Sequence, residues 1–148
     1  MIYIKSNPGD EGTGLIEDIT YSNIVASTSI WYPLWIGPQQ QKQPSNGTDT
    51  GCSFLYPLNQ TCATNPLVTM RDIFVTNVTA SSGLTLPGVI LCDPANPCTN
   101  VQFENFNNTG MWLVSSAYDC HNAFVNSTNA DPTPICVNKG PNGEREEE

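Results

Sequence analysis

Three stretches align without gaps: Asp18-Ile-Thr-Tyr-Ser-Asn-Ile24, Asp72-Ile-Phe-Val-Thr-Asn-Val78 and Asn100-Val-Gln-Phe-Glu-Asn-Phe106. Each reads polar, apolar, any, apolar or aromatic, any, Asn, apolar. The alternation at Ile19/Tyr21, Ile73/Val75 and Val101/Phe103 has period two, as a strand with one buried face requires. The Asn then breaks the alternation: on a straight strand Ile24, Val78 and Phe106 would point outward. A bend at Asn23, Asn77 and Asn105 turns them back inside, and Asn tolerates left-handed backbone angles better than other residues with a Cβ. Three equivalent corners predict stacking.

Between these strands lies a second set of short apolar runs: Ile2-Tyr-Ile-Lys5, Leu34-Trp-Ile-Gly37, Val89-Ile-Leu-Cys92 and Trp112-Leu-Val-Ser115. Ile36 follows Ile19 by the same interval as Ile90 follows Ile73. Two strand types therefore alternate along the chain, each pair making one turn of a solenoid. An antiparallel sandwich also uses short strands and tight turns, but gives no reason for every second strand to resemble itself. A solenoid does, because like strands stack on like. The expected fold is all-β: a right-handed single-stranded parallel β-helix of about three coils over residues 1–116. Residues 38–66 are polar, carry two cysteines and form a lateral loop. Residues 117–139 are expected to close the C-terminal end as a disulfide-held cap, and 140–148 to be a polar acidic tail that is solvated unless something basic holds it.

The composition agrees. The chain has 148 residues, 39% hydrophobic and 13% charged, with a formal charge of -9. Only Lys5, Lys42, Arg71, Lys139 and Arg145 are basic, so nucleic acid and anionic membrane surfaces are repelled. Six cysteines in so short a chain point to disulfides and an oxidising compartment. Their clustering favours Cys52–Cys62, Cys92–Cys98 and Cys120–Cys136. Five N-x-[ST] triplets begin at Asn46, Asn59, Asn77, Asn107 and Asn126. In a chain this rich in Asn, Ser and Thr some arise by chance; beside the cysteines they favour N-glycosylation and secretion. No apolar leader opens the sequence, so the secretory reading carries the expectation of a signal peptide upstream of residue 1.

The stretch IYIKSNPGDEGTGLIEDITYSNI (2–24), followed by YPLWIGPQQ (32–40), resembles the C-terminal coils of glycoside hydrolase family 28, the polygalacturonases. There an R-I-K strand precedes a Gly-containing turn, an x-x-I-x-Y-x-N-I strand and a P-I-x-I strand. The resemblance is good over 2–36, looser to Asn108, and unspecific from Gly110 on. It implies a pectin-lyase-type β-helix and inverting hydrolysis of galacturonan, for which two carboxyl groups stand roughly 6.5–9.5 Å apart. It also implies that the Arg-Lys pair of R-I-K binds the substrate carboxylate. Here Lys5 holds the lysine position, but Tyr3 replaces the arginine, and a phenol cannot make arginine's two-pronged charged contact. No N-T-D, Asp-Asp or Gly-His-Gly stretch occurs in these residues. Lys5 and Tyr3 remain as substrate-binding candidates; no catalytic residue is assigned.

Other chemistry-bearing residues have plainer readings. Asp49-Thr50-Gly51 spells an aspartic-protease triplet, but in a polar loop rather than after an apolar strand. Asp10 with Glu11 and Glu17 with Asp18 read as solvated turn charges, there being no EF-hand pattern to make them calcium ligands. His121 reads as a surface residue. Trp31, Tyr32 and Trp35 suit either stacking on sugar rings or packing beneath the 38–66 loop. No cofactor or metal is called for.

Function then divides. One reading is a non-catalytic β-helical part of a secreted structural or interaction protein, of polygalacturonase-like ancestry. The other is the C-terminal part of an active polyuronide hydrolase whose aspartates lie upstream; carbohydrate binding without hydrolysis is a third. In each, the strand edge at Ile2-Tyr3-Ile4 needs a neighbour, either further coils or another chain, because an open solenoid end exposes apolar side chains and unpaired backbone.

Overall fold

The computed structural model describes residues 1–10, 12–27, 30–40, 51–53, 56–59 and 62–138. Glu11, Lys42, Asn46, Asp49, Thr50, Lys139, Arg145 and the expected tail at 140–148 lie outside these residues, as does much of the lateral loop.

The alternating strands stack as the repeat demands. β1 (Ile2–Ser6), β4 (Leu34–Pro38), β6 (Gly88–Leu91) and β8 (Asp119–His121) form one four-stranded sheet in that order. β2 (Gly14–Ile16), β5 (Val68–Gly83), β7 (Cys98–Gly110) and β9 (Ala123–Asp131) form the other, with β3 (Ile19–Ala26) also on β5. All of these pairings are parallel. The registers Ile19↔Ile73↔Val101, Tyr21↔Val75↔Phe103 and Ile24↔Val78↔Phe106 reproduce the alignment of the three stretches. This is the architecture of a parallel β-helix.

The corners are what make it possible. Asn23, Asn77 and Asn105 sit at φ 57°, 52° and 51°. A residue there reverses the inside–outside alternation, so Val78 and Phe106 return to the interior, where both are buried. The amides bond along the stack: Asn77 Nδ2 donates to Asn23 Oδ1 at 3.4 Å, Asn105 to Asn77 at 3.1 Å and Asn129 to Asn105 at 2.7 Å. A second column of left-handed corners, Asp18, Asp72 and Asn100, opens these three repeats, while in the last coil the left-handed Asn122 lies just before Ala123, the partner of Cys98, and so off the column. There Asn100 Nδ2 donates to Asp72 Oδ1 at 2.6 Å. The leading polar residue of the repeat is thus a corner too.

Two expectations are corrected. The first concerns Trp112–Ser115, which is not the fourth strand of its set. It belongs to a turn that lies on the preceding turn, with Leu113 N donating to Leu84 O and Val114 N to Thr85 O. Trp112, at φ 45°, lies over Gly83 and Gly110, where any Cβ would collide with its indole. The fourth strand is Asp119–His121 instead, with Val89↔Asp119 and Ile90↔Cys120 in register. The second concerns the C-terminal end. Part of the segment expected as a cap is a further coil, since β8 and β9 extend both sheets. The other sheet has a fourth rung, β9, where three repeats were read, and the coils continue past residue 116 to Asp131. Beyond it Val137 adds a parallel bridge to His121.

The core runs along the axis. Ile4, Ile36 and Ile90 face Ile73, Val75, Val78, Val101, Phe103 and Phe106. The Phe103 and Phe106 rings meet edge-on at 5.4 Å. All three expected disulfides are present. Cys92–Cys98 spans the corner between β6 and β7, and Cys120–Cys136 ties β8 to the segment after β9.

Two substitutions test this account. Phe103→Ala removes a ring that is 1% exposed and should cost about 3–5 kcal/mol, a large share of the roughly 5–15 kcal/mol that holds a domain folded. Urea unfolding measures it. Asn105→Ala places a Cβ without a compensating amide in a left-handed corner, which costs about 1–2 kcal/mol. Asn105→Gly loses the same ladder bonds without that strain. The Ala variant should melt below the Gly variant, and the reverse order would remove the corner argument.

Candidate functional site

β1 alternates cleanly. Ile2, Ile4 and Ser6 point in and are buried, while Tyr3 and Lys5 face out. The outward positions of the next strands follow from register: Trp35 and Gly37 on β4, Val89 and Leu91 on β6, Asp119 and His121 on β8. This outer face carries the two sequence candidates, and it also carries residues that sequence reasoning left aside.

Lys5 Nζ stands 5.0 Å from the centre of the Tyr3 ring, a cation–π contact. Partial burial lowers the pKa of its ammonium and raises that of the Tyr3 phenol, because desolvation penalises the charged form of each. The Tyr3 hydroxyl is committed, donating to Tyr32 O at 3.0 Å. Where the family pattern has a charged fork, this chain has a phenol bonded to its own backbone.

Beyond β1 the outer face is covered. Tyr32, Trp35, Cys52, Tyr56, Leu86, Val89 and Leu91 form a second buried cluster, outside the sheet. Trp35 is 0% exposed and its Nε1 donates to Pro38 O at 2.9 Å. Ring centres lie 5.3 Å apart for Trp31–Tyr32 and Tyr32–Trp35, and 6.2 Å for Trp35–Tyr56. Of the two roles open to these aromatics, packing beneath the loop is the one adopted by Tyr32 and Trp35. The described part of the loop, pinned by Cys52–Cys62, supplies Tyr56 as the outer layer.

A line of phenols crosses this cover. Tyr3 donates to the Tyr32 carbonyl and Tyr32 donates to the Tyr56 carbonyl. The Tyr56 hydroxyl in turn approaches Asp119 on the last coil. Burial pushes the Tyr32 phenol up to about 12, with Tyr3 and Asp119 adding to it. Burial and then the Asp119 carboxylate raise the Tyr56 phenol further. For Asp119 itself, desolvation works to raise the pKa. The contacts with His121 and Tyr56 outweigh it and hold the carboxyl below its ordinary range. His121 Nε2 lies 3.0 Å from Asp119 Oδ1, whereas Oδ2 is buried with no donor at full hydrogen-bond distance. His121, expected as a plain surface residue, is therefore paired with a carboxylate. The i, i+2 spacing in Asp119-Cys-His121 was the available signal, since strand alternation puts such residues on one face.

The remaining candidates disperse. Glu17 pairs with Arg71 at 2.5 Å, and Arg71 Nε lies 3.6 Å from Asp72, an exposed cluster of small energetic weight. Asp10 is exposed in a turn. Asn59, Asn77, Asn107 and Asn126 are all at the surface, Asn77 within the amide ladder. Among the described residues no group of three or more His, Cys, Asp or Glu side chains could hold a metal ion, and no helix is long and apolar enough to cross a membrane.

The model of one protein family, Glycosyl hydrolases family 28, matches residues 2–130. The chain belongs to this family. The match takes in every strand from β1 to most of β9, including Asp119 and His121. No curated protein and no solved structure matches the chain. In this chain Tyr32, Trp35 and Tyr56 cover the outer face of β4 and β6.

The Asp119 contacts give the pH dependence a definite sign. A carboxyl held below its ordinary range stabilises the fold above the unfolded pKa, and that contribution is lost as pH falls through the folded value. The phenols work oppositely: raised from 10.0, they stabilise below the unfolded pKa and lose this as pH rises towards about 12. The melting temperature should be level between these limits. Asp119→Asn should flatten the acid limb and leave the alkaline limb in place. A matching acid limb in both proteins would discount the Asp119 contacts.

Proposed function

We propose that this chain is a non-catalytic β-helical portion of a secreted, N-glycosylated protein, with a structural or interaction role and a polygalacturonase-like ancestor. The observation that carries this reading is the engaged Tyr3. Its hydroxyl is tied to Tyr32 at the position where the family resemblance expects an arginine for the substrate carboxylate. Buried Tyr32 and Trp35 then fill the face beside it. Disulfides and exposed sequons support an oxidising, extracellular setting, reached through a signal peptide ahead of residue 1.

The partner surface is the front edge. Ile16, Ile19, Tyr21 and Ile24 are only partly buried, while their stacked counterparts Met70, Ile73, Val75 and Val78 are fully buried. A further parallel coil on this edge, from upstream in the same polypeptide or from another chain, would bury them in the same way. A polysaccharide is a secondary partner. The charge of -9 disfavours nucleic acid and membrane surfaces.

The family match over 2–130 favours one alternative, an active polyuronide hydrolase whose catalytic aspartates lie upstream. The native polypeptide incubated with polygalacturonate separates the two. No release of reducing ends is expected, and steady release above a heat-inactivated control would establish the hydrolase.

A further inference from the structure

The two sheets end differently at the last coil. β8 is covered: Val137 N donates to Cys120 O at 2.9 Å and Asn122 N to Val137 O at 3.0 Å. Cys120–Cys136 fastens the covering segment, and its Asn138 Oδ1 accepts from Ala123 N at 3.0 Å. The cover stops there. Among the described residues, no strand pairs with the far side of β9, the last in its sheet.

An open strand edge is a template for another chain, and proteins blunt it with short strands, prolines, lysines or bulges. β9 uses none of these. It is nine residues long, above the usual ~5–6, and Ala123 to Ala130 contains no charge and no Pro. The register shift opposite it places the extra residue on β7, between Cys98 and Val101. Phe124 is 44% exposed on the same strand. What β9 carries instead is the triplet Asn126-Ser127-Thr128.

The described sequons are not equivalent. At Asn77 the amide is engaged in the ladder, donating to Asn23 and accepting from Asn105. Asn107 is exposed, but its strand has neighbours on both sides, Thr79 and Asp131 being its partners in register. Asn126 faces solvent in the middle of the bare strand, between the partly buried Val125 and Ser127.

We propose that Asn126 carries an N-linked glycan that guards this edge against strand addition by a second copy of the chain. In the transfer, Asn126 Nδ2 gives up one proton and bonds to the anomeric carbon of a lipid-pyrophosphate-linked oligosaccharide. The bond from that carbon to the pyrophosphate oxygen breaks, and the lipid pyrophosphate leaves. The result is a bulky, solubilising group at mid-strand. It sweeps the space where an added strand must lie, about 4.7–4.9 Å away. This deepens the secreted, N-glycosylated reading and rests on it, giving one sequon a task the others do not share.

The native polypeptide, secreted from a eukaryotic cell line, is compared with Asn126→Gln, Thr128→Ala and Asn107→Gln. Glycopeptide mass spectrometry reads occupancy, and light scattering after size exclusion reads assembly. Asn126→Gln and Thr128→Ala should each lose the β9 glycan and at least double in apparent mass at the same concentration. Their melting temperatures should match the parent, since both side chains are exposed. Asn107→Gln should lose its own glycan without associating. Adding Phe124→Lys to Asn126→Gln sets a charge on the edge and should restore the parent mass without the sugar. A glycan-free Asn126→Gln protein of unchanged mass would overturn the proposal, as would equal association by Asn107→Gln or an unmodified Asn126 in a protein glycosylated elsewhere. Absence of glycan from every sequon would instead overturn the N-glycosylated reading beneath it.

Discussion

The structure depends on a backbone constraint: twice in each turn of the solenoid, a residue bearing a Cβ must occupy left-handed space. Asn23, Asn77, Asn105 and Asn129 do so at one corner, and Asp18, Asp72 and Asn100 at the other, with Asn122 opening the last coil from a shifted position. Without the reversal at these points, the residue after the corner would face water and each turn would lose one interior side chain. Asn and Asp accept the conformation at lower cost than other such residues because a short polar side chain can bond locally. Stacking then turns that tolerance into a gain, since an amide at the same corner of the next turn bonds to it. Local strain and long-range order are thus settled by the same residues, a consistency across levels that marks a well-specified fold.

On this scaffold the outer face of the shorter sheet has taken on a second apolar layer. A sheet with one face in the solenoid interior needs nothing on the other, yet here Trp35 and Val89 are as buried as the interior itself. The layer is held by hydrogen bonds from phenols to backbone carbonyls, Tyr3 to Tyr32 and Tyr32 to Tyr56. Such bonds satisfy polar tips that burial would otherwise penalise. The side chains of this layer are occupied with one another, with Lys5 at one margin and the Asp119–His121 pair at the other.

The sequence made the fold legible where the repeat was strict. Three stretches with identical spacing put the corners, the registers and the parallel stacking in plain view, and the cysteine clusters paired as their proximity indicates. It failed at the fourth coil for physical reasons. In β9 the position opposite Phe103 holds Ser127 and the position opposite Phe106 holds Ala130. A register shift between Cys98 and Val101 further disturbs the spacing from Asn122. At the last turn of a stack the interior is shallow, so small and polar residues serve and the apolar signal fades. Asp119-Cys-His121 has no apolar run at all, whereas Trp112–Ser115 has one and spends it on a turn, its indole lying over two glycines. At the site, Lys5 and Tyr3 were visible through family resemblance and strand alternation. The aromatic cover depends on contacts between residues far apart in sequence, which no local pattern encodes; the Asp119–His121 pair had its signal in the i, i+2 spacing of a strand.

The amide ladder has a direction. Every bond in it runs from the Nδ2 of a later turn to the Oδ1 of an earlier one, so the side-chain dipoles are aligned and add along the axis. One pole of this miniature electret is the amide hydrogens of Asn23; the other is the oxygen of Asn129. Two molecules approaching pole to like pole meet electrostatic frustration along that row. A structure continuing the sense of the row meets attraction, so the ladder imparts a vectorial preference to whatever extends the stack.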